Sequence, residues 1–526
     1  MLPRDSGVTV DEALVFLRRA LILTHRWLGI VGSIFFVAWF ASGIAMMYTR
    51  MPRLTPEERL RRSAPLDLTS ARLGPADVAP RLESRPQRVR IGMSEGRPVY
   101  RFLVGSRWIA VFADTGEPMS ALTESRALAI AHAFAARPDG AGATARLRYE
   151  GLVREPDQWT LQIRALLPAH RIAIGDAADS YLYLSDQTAE PVLVTSRRSR
   201  TWGYLGAVVH WMYFTPIRRN GPAWTQLIIW SSLAGCLLCL SGLAWGVWQF
   251  ARFRGTSYSG LMRWHHYAGL VFGAITFTFV FSGLLSMNPW GWPPTSPLTR
   301  AQRDAVSGGP LDVQSATLER TRSAAHALAR EYLIKEIELL QFRGELFAGA
   351  YRSPLPEERV RQALGDPAAV IAAHLPLDHR LVSLRAPDRG VFARFDDAVM
   401  LEVARAAMPD VPIRDAAWLD RYDTYYYDRD GQLPLPILRV RYLDPAATWL
   451  YLDPLHGAIA RKEDRLSRLN RWLYHGLHSL DFPWLYERRP LWDLVVIVLS
   501  LGGLFVSLSS APAGWRRVAR LLRRRA

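Results

Sequence analysis

Four apolar stretches, at about residues 28–48, 227–250, 268–287 and 491–508, constrain this chain more than any other feature. A helix needs about 20 apolar residues to cross the hydrocarbon core of a bilayer. The first three stretches reach that length. The fourth is shorter, but Trp492 and Trp515 flank it as interface anchors. A long charged leader precedes the first stretch and no small-residue cleavage site follows Tyr48, so it reads as a span and not as a signal peptide.

Orientation follows the arginines in the short flanks. Arg18, Arg19 and Arg26 precede span one. Arg252, Arg254 and Arg263 fill the link between spans two and three. Arg516, Arg517, Arg520, Arg523, Arg524 and Arg525 follow span four. All three flanks are expected on the cytoplasmic side, with both long connecting segments on the other. The net charge of +17 is carried almost wholly by arginine, the lysines being Lys335 and Lys462. That bias, with no clustered basic and aromatic motif, argues against a nucleic-acid partner; the partner implied by the spans is membrane lipid. Cys236 and Cys239 form a C-x-x-C inside span two. It lacks a second half and a polar setting, so both are read as lipid- or helix-facing.

The expected division is residues 1–49 for the cytoplasmic N-terminus and span one, 50–200 for a first soluble domain, and 201–250 for an interfacial helix and span two. Residues 251–289 hold the cytoplasmic link and span three, 290–465 a second soluble domain, and 466–526 an interfacial helix, span four and an Arg-rich tail. Both soluble domains read as α/β. Helical patterning appears at residues 124–136 and 323–333, and alternating runs at 98–112, 181–184 and 435–442 read as strands. Residues 114–117 and 453–457 read as turns.

The chain repeats itself. His25-Arg-Trp-Leu-Gly29 aligns with His265-His-Tyr-Ala-Gly269, and Ser42-Gly43 with Ser282-Gly283, at an offset of 240. Further on the offset is 268: Tyr183-Leu184 with Tyr451-Leu452, His210 with His478, Phe214 with Phe482, Trp224 with Trp492 and Gly235 with Gly503. Each half is span, soluble domain, span. The fold expected is therefore an α-helical membrane protein with four transmembrane helices as two parallel repeats, plus two α/β domains.

Histidine at a membrane boundary is costly unless it has a role. A two-fold axis lets equivalent residues face each other, so His25 can meet His265 at one face and His210 can meet His478 at the other. Facing imidazoles are what bis-histidine ligation of a b-type haem requires, and two pairs make two haem b sites. Two alternatives stand beside these ligands: His266 adjoins His265, and His475 lies one turn from His478. Gly29-x-x-x-Ser33 and Gly269-x-x-x-Gly273 let a porphyrin, or another helix, approach closely. His132, His170, His326, His374, His379 and His456 have no repeat partner and read as surface or structural. Asp420–Arg429, rich in tyrosine, is a candidate docking surface or a structural strand pair.

His25-Arg-Trp-Leu-Gly29, Ala113-Asp-Thr-Gly-Glu-Pro118, Tyr451-Leu-Asp-Pro-Leu-His-Gly457 and Tyr474-His-Gly-Leu-His-Ser479 resemble the PepSY-associated transmembrane family over essentially the whole chain. The first half departs from the pattern at Val209-His210-Trp211 and Thr188-Ala189-Glu190. The resemblance implies a bacterial inner-membrane protein with periplasmic PepSY-like domains. It also implies two b haems and reduction of a ferric siderophore, releasing Fe(II). No G-x-G-x-x-G followed by a helix appears, so the electron donor is expected to be quinol or a separate reductase. Two other classes fit the same residues: a haem-free PepSY envelope protein that regulates a peptidase or binds a protein partner, and a cytochrome b-type electron-transfer subunit.

Overall fold

The computed structural model describes residues 10–136, 146–293, 297–352, 379–428 and 433–524. His374, Arg429 and Arg525 lie outside them. The described residues fall into two compact units: 10–51, 199–293 and 466–524 form one, and 52–198 and 297–465 the other.

The first unit contains four helices long and apolar enough to cross a membrane: α1 (Val10–Met46), α2 (Gly221–Phe253), α3 (Gly260–Leu285) and α4 (Leu491–Arg523). Each runs past its apolar stretch. Hydropathy marks where lipid begins, whereas a helix continues until something breaks it. Nothing between Val10 and Leu28 breaks α1, and α4 continues through Pro512. His25 therefore lies well inside α1 and not at its start. Helix α1 packs against α2 and α4, and α3 packs against the same two, so α1 and α3 face each other across the bundle. Phe36, Phe40, Phe279, Val280, Leu238 and Val496 fill its centre. Val31, Ile34, Trp230, Val271 and Leu494 point outward, as lipid-facing side chains do. Cys236 and Cys239 are buried against neighbouring helices.

The second unit is built on a six-stranded sheet in the order β10-β9-β8-β1-β2-β3. Strands β1 (Arg88–Ser94), β2 (Arg97–Val104) and β3 (Arg107–Phe112) come from the first connecting segment. Strands β8 (Ile334–Phe342), β9 (Glu345–Arg352) and β10 (His379–Ser383) come from the second. The alternating run at 98–112 is thus a hairpin. The segments meet at the antiparallel β1–β8 pair, with Val89 opposite Leu339 and Ile91 opposite Ile337. Two-residue turns join β1 to β2 and β8 to β9. Glu95-Gly96 and Arg343-Gly344 all have positive φ, which a turn matching the right-handed strand twist requires.

Each segment also keeps a four-stranded antiparallel sheet of its own. One comprises β4 (Arg148–Val153), β5 (Ala169–Ala173), β6 (Tyr181–Ser185) and β7 (Pro191–Thr195). The other comprises β11 (Ile413–Leu419), β12 (Ile437–Tyr442), β13 (Trp449–Asp453) and β14 (Ala458–Glu463). The helix Glu124–Ala135 starts at the Thr123 cap, close to expectation. The second, expected at 323–333, spans Leu318–Ala329 because the Thr317 side chain caps it earlier.

A buried ion cluster ties these parts together. Arg59 bonds Glu336 at 2.8 Å and Glu190 at 3.0 Å, Arg90 bonds Glu190 at 2.7 Å, and Arg101 approaches Glu190 at 3.4 Å. Burial alone would raise the Glu190 carboxyl. Arg101, Arg90 and Arg59 outweigh it and hold the group down at about 2. A depressed folded value stabilises the fold above the unfolded carboxyl value and loses that stabilisation as pH falls toward 2. Glu190→Ala should therefore cost about 3–5 kcal/mol at neutral pH by leaving three buried arginines with Glu336 as their one remaining carboxylate in the cluster. Apparent melting temperature against pH checks this: wild type should lose stability between about pH 4.5 and 2, and the variant should show a flatter profile.

Candidate functional site

Two histidine pairs occupy two levels of the four-helix unit. His25 on α1 and His265 on α3 have ring centres 6.2 Å apart. His210 and His478 have ring centres 5.9 Å apart. Among the alternatives, His266 turns away from His25: its Nε2 donates to the Gly246 carbonyl at 2.9 Å. The His475 ring lies against Tyr474 at 4.3 Å.

Each paired imidazole is held through Nδ1 by a helix carbonyl. His25 Nδ1 donates to Leu238 O at 3.1 Å and His265 Nδ1 to Val506 O at 3.0 Å. His210 Nδ1 donates to Trp39 O at 3.1 Å and His478 Nδ1 to Phe279 O at 3.2 Å. The accepting residues obey the offsets seen in the sequence, 238 with 506 and 39 with 279. A serine three residues on reaches every one of these carbonyls: Ser509 and Ser282 donate at 2.9 Å, while Ser241 at 3.1 Å and Ser42 at 3.2 Å share their proton with the nearer carbonyls of Leu237 and Ala38. Ser241 and Ser509 escape a reading centred on histidine, although they too stand 268 apart.

A carbonyl only accepts, so Nδ1 carries the proton in each neutral ring and Nε2 carries the lone pair. A neutral imidazole whose other nitrogen is pinned by a backbone carbonyl is the usual preparation of a metal ligand.

Local backbone geometry positions the second pair. A single π-helical turn, Tyr204–Val208, ends two residues before His210, and another, Trp472–Gly476, ends two residues before His478. Such turns shift the register of a helix and recur at functional sites. A Cβ on Gly43 would sit 3.4 Å from the His210 ring, and one on Gly283 3.6 Å from the His478 ring. Of the small residues expected to admit a close neighbour, Gly29 meets Leu238 and Gly273 meets Leu243, which is helix packing, whereas Gly269 faces open space.

A metal–imidazole bond is about 2.0–2.1 Å and a ring nitrogen lies about 1.2 Å from the ring centre, so two imidazoles on one metal stand roughly 6.5 Å apart. The pairs lie slightly inside that spacing, at 6.2 Å and 5.9 Å. The residues therefore fit an iron ligated from two sides. No three His, Cys, Asp or Glu side chains converge as a metal site among the described residues, and axial ligation needs only two.

The unmatched histidines take other roles. His170 is buried between Tyr149 at 2.9 Å and Asp186 at 3.2 Å. His379 is buried and stacks on His456 at 4.8 Å, while His456 bonds Asp453 at 2.5 Å and Tyr351 at 2.7 Å. His132 and His326 are exposed. The tyrosine-rich loop is partly core: Tyr426 is fully buried, stacked on Tyr451 at 4.9 Å.

A comparison of the chain with protein-family models finds no match, and one with curated proteins finds none either.

Packing around the first pair is directly testable. A Cβ on Gly242 would lie 2.5 Å and 2.7 Å from atoms of the His25 ring, so Gly242→Ala should destabilise by about 1–3 kcal/mol. Gly269→Ala meets nothing within 4 Å and should be neutral or slightly stabilising. Melting of the purified protein in detergent distinguishes them; equal shifts for both would contradict this packing.

Proposed function

We propose that the protein is a membrane oxidoreductase that holds two b-type haems and delivers electrons to a ferric siderophore across the membrane. The observation that carries this reading is the spacing of the two imidazole pairs, 6.2 Å and 5.9 Å, with Nδ1 of every ring held by a carbonyl and the Nε2 lone pair left for a metal. Bound there, haem iron supplies one-electron oxidation and reduction.

The chain's own residues do the positioning. His25 and His265 would hold one haem, and His210 and His478 the other. The carbonyls of Leu238, Val506, Trp39 and Phe279 fix ring orientation, and their serines fix the carbonyls. Ser42, against His210, lies 17 residues beyond His25 on α1, about 25 Å at helical rise. The two levels thus approach the two faces of a hydrocarbon core about 30 Å thick. Phe36, Phe40 and Phe279 pack between them and exclude water, with Phe40 and Phe279 meeting at 6.2 Å.

The shared offsets of the anchoring contacts support a parallel two-repeat layout. The arginine-rich flanks support a cytoplasmic side for His25 and His265, and with it periplasmic α/β segments in a bacterial inner membrane. Resemblance to the PepSY-associated transmembrane family supports the substrate class. Ferrous iron binds hard oxygen donors more weakly than ferric iron, so one added electron loosens the metal from its chelator. No acid–base residue is needed for that step.

The visible spectrum of the purified protein tests this. Wild type made with ample haem should show a reduced b-type α band from two equivalents. His25→Ala or His265→Ala should remove one equivalent, and His210→Ala or His478→Ala the other. His475→Ala and His266→Ala should retain both. Reduced protein mixed with a ferric siderophore should reoxidise in stopped flow. Protein without haem would overturn the redox reading and favour a haem-free envelope role. Haem-loaded protein inert toward ferric chelates would favour an electron-transfer subunit.

A further inference from the structure

A polar cluster adjoins the His25–His265 pair, and the histidine pairs make no use of it. Trp245 and Gln249 stand one turn apart on α2, Tyr258 lies in the link before α3, and His266 follows His265 on α3. The Tyr258 hydroxyl oxygen accepts from Trp245 Nε1 at 3.0 Å and from Gln249 Nε2 at 3.3 Å. His266 Nε2 donates to Gly246 O at 2.9 Å, and its ring meets Tyr258 edge-on at 5.7 Å.

This arrangement leaves two buried acceptors. With Nε2 donating, His266 Nδ1 carries a lone pair; it is buried and has no hydrogen-bond partner. Gln249 Oε1 is buried and has none either. Both residues are only 6% exposed. Buried polar atoms are nearly always paired, so two orphans in one cluster point to a missing partner. Tyr258 Oη already accepts twice, and its own O–H adds a donor to the same cluster. The surroundings are flat and apolar. Trp245 stacks on Trp248 at 4.9 Å with the Arg18 guanidinium over both rings, and Trp248 and Trp264 are exposed where lipid would lie.

We infer that Gln249, Tyr258 and His266 form a binding site for a membrane-soluble hydroquinone, whose two hydroxyls donate to Gln249 Oε1 and His266 Nδ1 while its ring packs among Trp245 and Tyr258. A hydroquinone has the required chemistry: a flat apolar ring, two O–H donors, and entry from the bilayer. This rests on reading the His25–His265 pair as the electron-accepting end of the protein. Oxidation of one hydroquinone to the quinone releases two electrons and two protons. A one-electron acceptor held by His25 and His265 would take the two electrons one at a time, and the two protons would go to water at the arginine-flanked face.

The test uses full-length protein in phosphatidylcholine nanodiscs, whose headgroup offers no donor. The probes are a short-chain ubiquinol for equilibrium binding and its azido-quinone analogue for photolabelling. Label should map to peptides covering residues 245–266. Gln249→Leu and His266→Leu should each weaken binding about tenfold or more, as expected for one lost buried hydrogen bond, with the Soret band unchanged. Gln249→Leu keeps the test decisive if His266→Leu fails to fold. Unchanged affinity in Gln249→Leu, or label confined to other peptides, would overturn the site and mean that water alone satisfies the two acceptors. Specific binding to protein that lacks haem would uphold the site while removing the electron-transfer reading. Haem-loaded protein with no affinity for the probe would overturn the site and leave that reading standing with another donor.

Discussion

The bond from an imidazole Nδ1–H to a helix carbonyl, made four times inside an apolar bundle, is the interaction on which this molecule turns. In water such a bond contributes little, because solvent competes for both partners. In a half-buried site between apolar helices competition from solvent is weaker, and a ring turned away from its carbonyl would leave the N–H unpaired. The bond therefore settles tautomer and orientation together. It also explains the serines at 42, 241, 282 and 509. Each carbonyl already serves its own helix ladder, and a hydroxyl one turn away holds it in place for a further donor.

The second unit solves a different problem, that of joining two segments separated in sequence by α2 and α3. Apolar pairing at β1–β8 joins them along one sheet. The ion cluster then binds the middle of that sheet to a helix and a turn: Arg59 comes from Pro56–Arg62, Arg90 from β1, Glu336 from β8 and Glu190 from the turn before β7. Three arginines facing two glutamates leave an excess of positive charge, tolerable because each guanidinium is shared or donates to backbone, as Arg101 does to Thr188 O at 3.0 Å. A cavity of about 180 Å³ lined by Arg59, Arg90, Thr188 and Glu190 opens beside it.

Much of the four-helix unit was legible in the sequence, and the reasons are physical. A lipid-crossing helix writes its length in apolar residues, and a duplicated histidine keeps its register, so His25, His265, His210 and His478 could be paired before any contact was known. The carbonyls that anchor them carry no sequence signature, because every residue has one. Only the serine one turn later marks them, and serine is common in such helices. The π-turns before His210 and His478 were invisible for a similar reason: one extra residue in a helical turn changes geometry and leaves the hydropathy pattern intact. His266 read as an alternative ligand because adjacency in sequence says nothing of which way a ring faces; successive residues on a helix point about 100° apart. The β1–β8 pairing was equally hidden, since two strands nearly 250 residues apart share only alternation.

That pairing has a bearing on how the molecule is made. Chains fold largely as they emerge, N-terminal parts first. Strands β1–β3 can form their hairpins early, but the partner for the free edge of β1 is synthesised only after α2 and α3 have been made. Through that interval the unfinished sheet presents Val89 and Ile91 along an unpaired strand, the kind of surface that seeds aggregation. Assembly of the two halves is thus a race between insertion of a helical hairpin and capture of an open strand by a stray one. Slow synthesis through 221–285 would lengthen the exposure, and a holding chaperone on the side where β1 emerges would shorten its consequences.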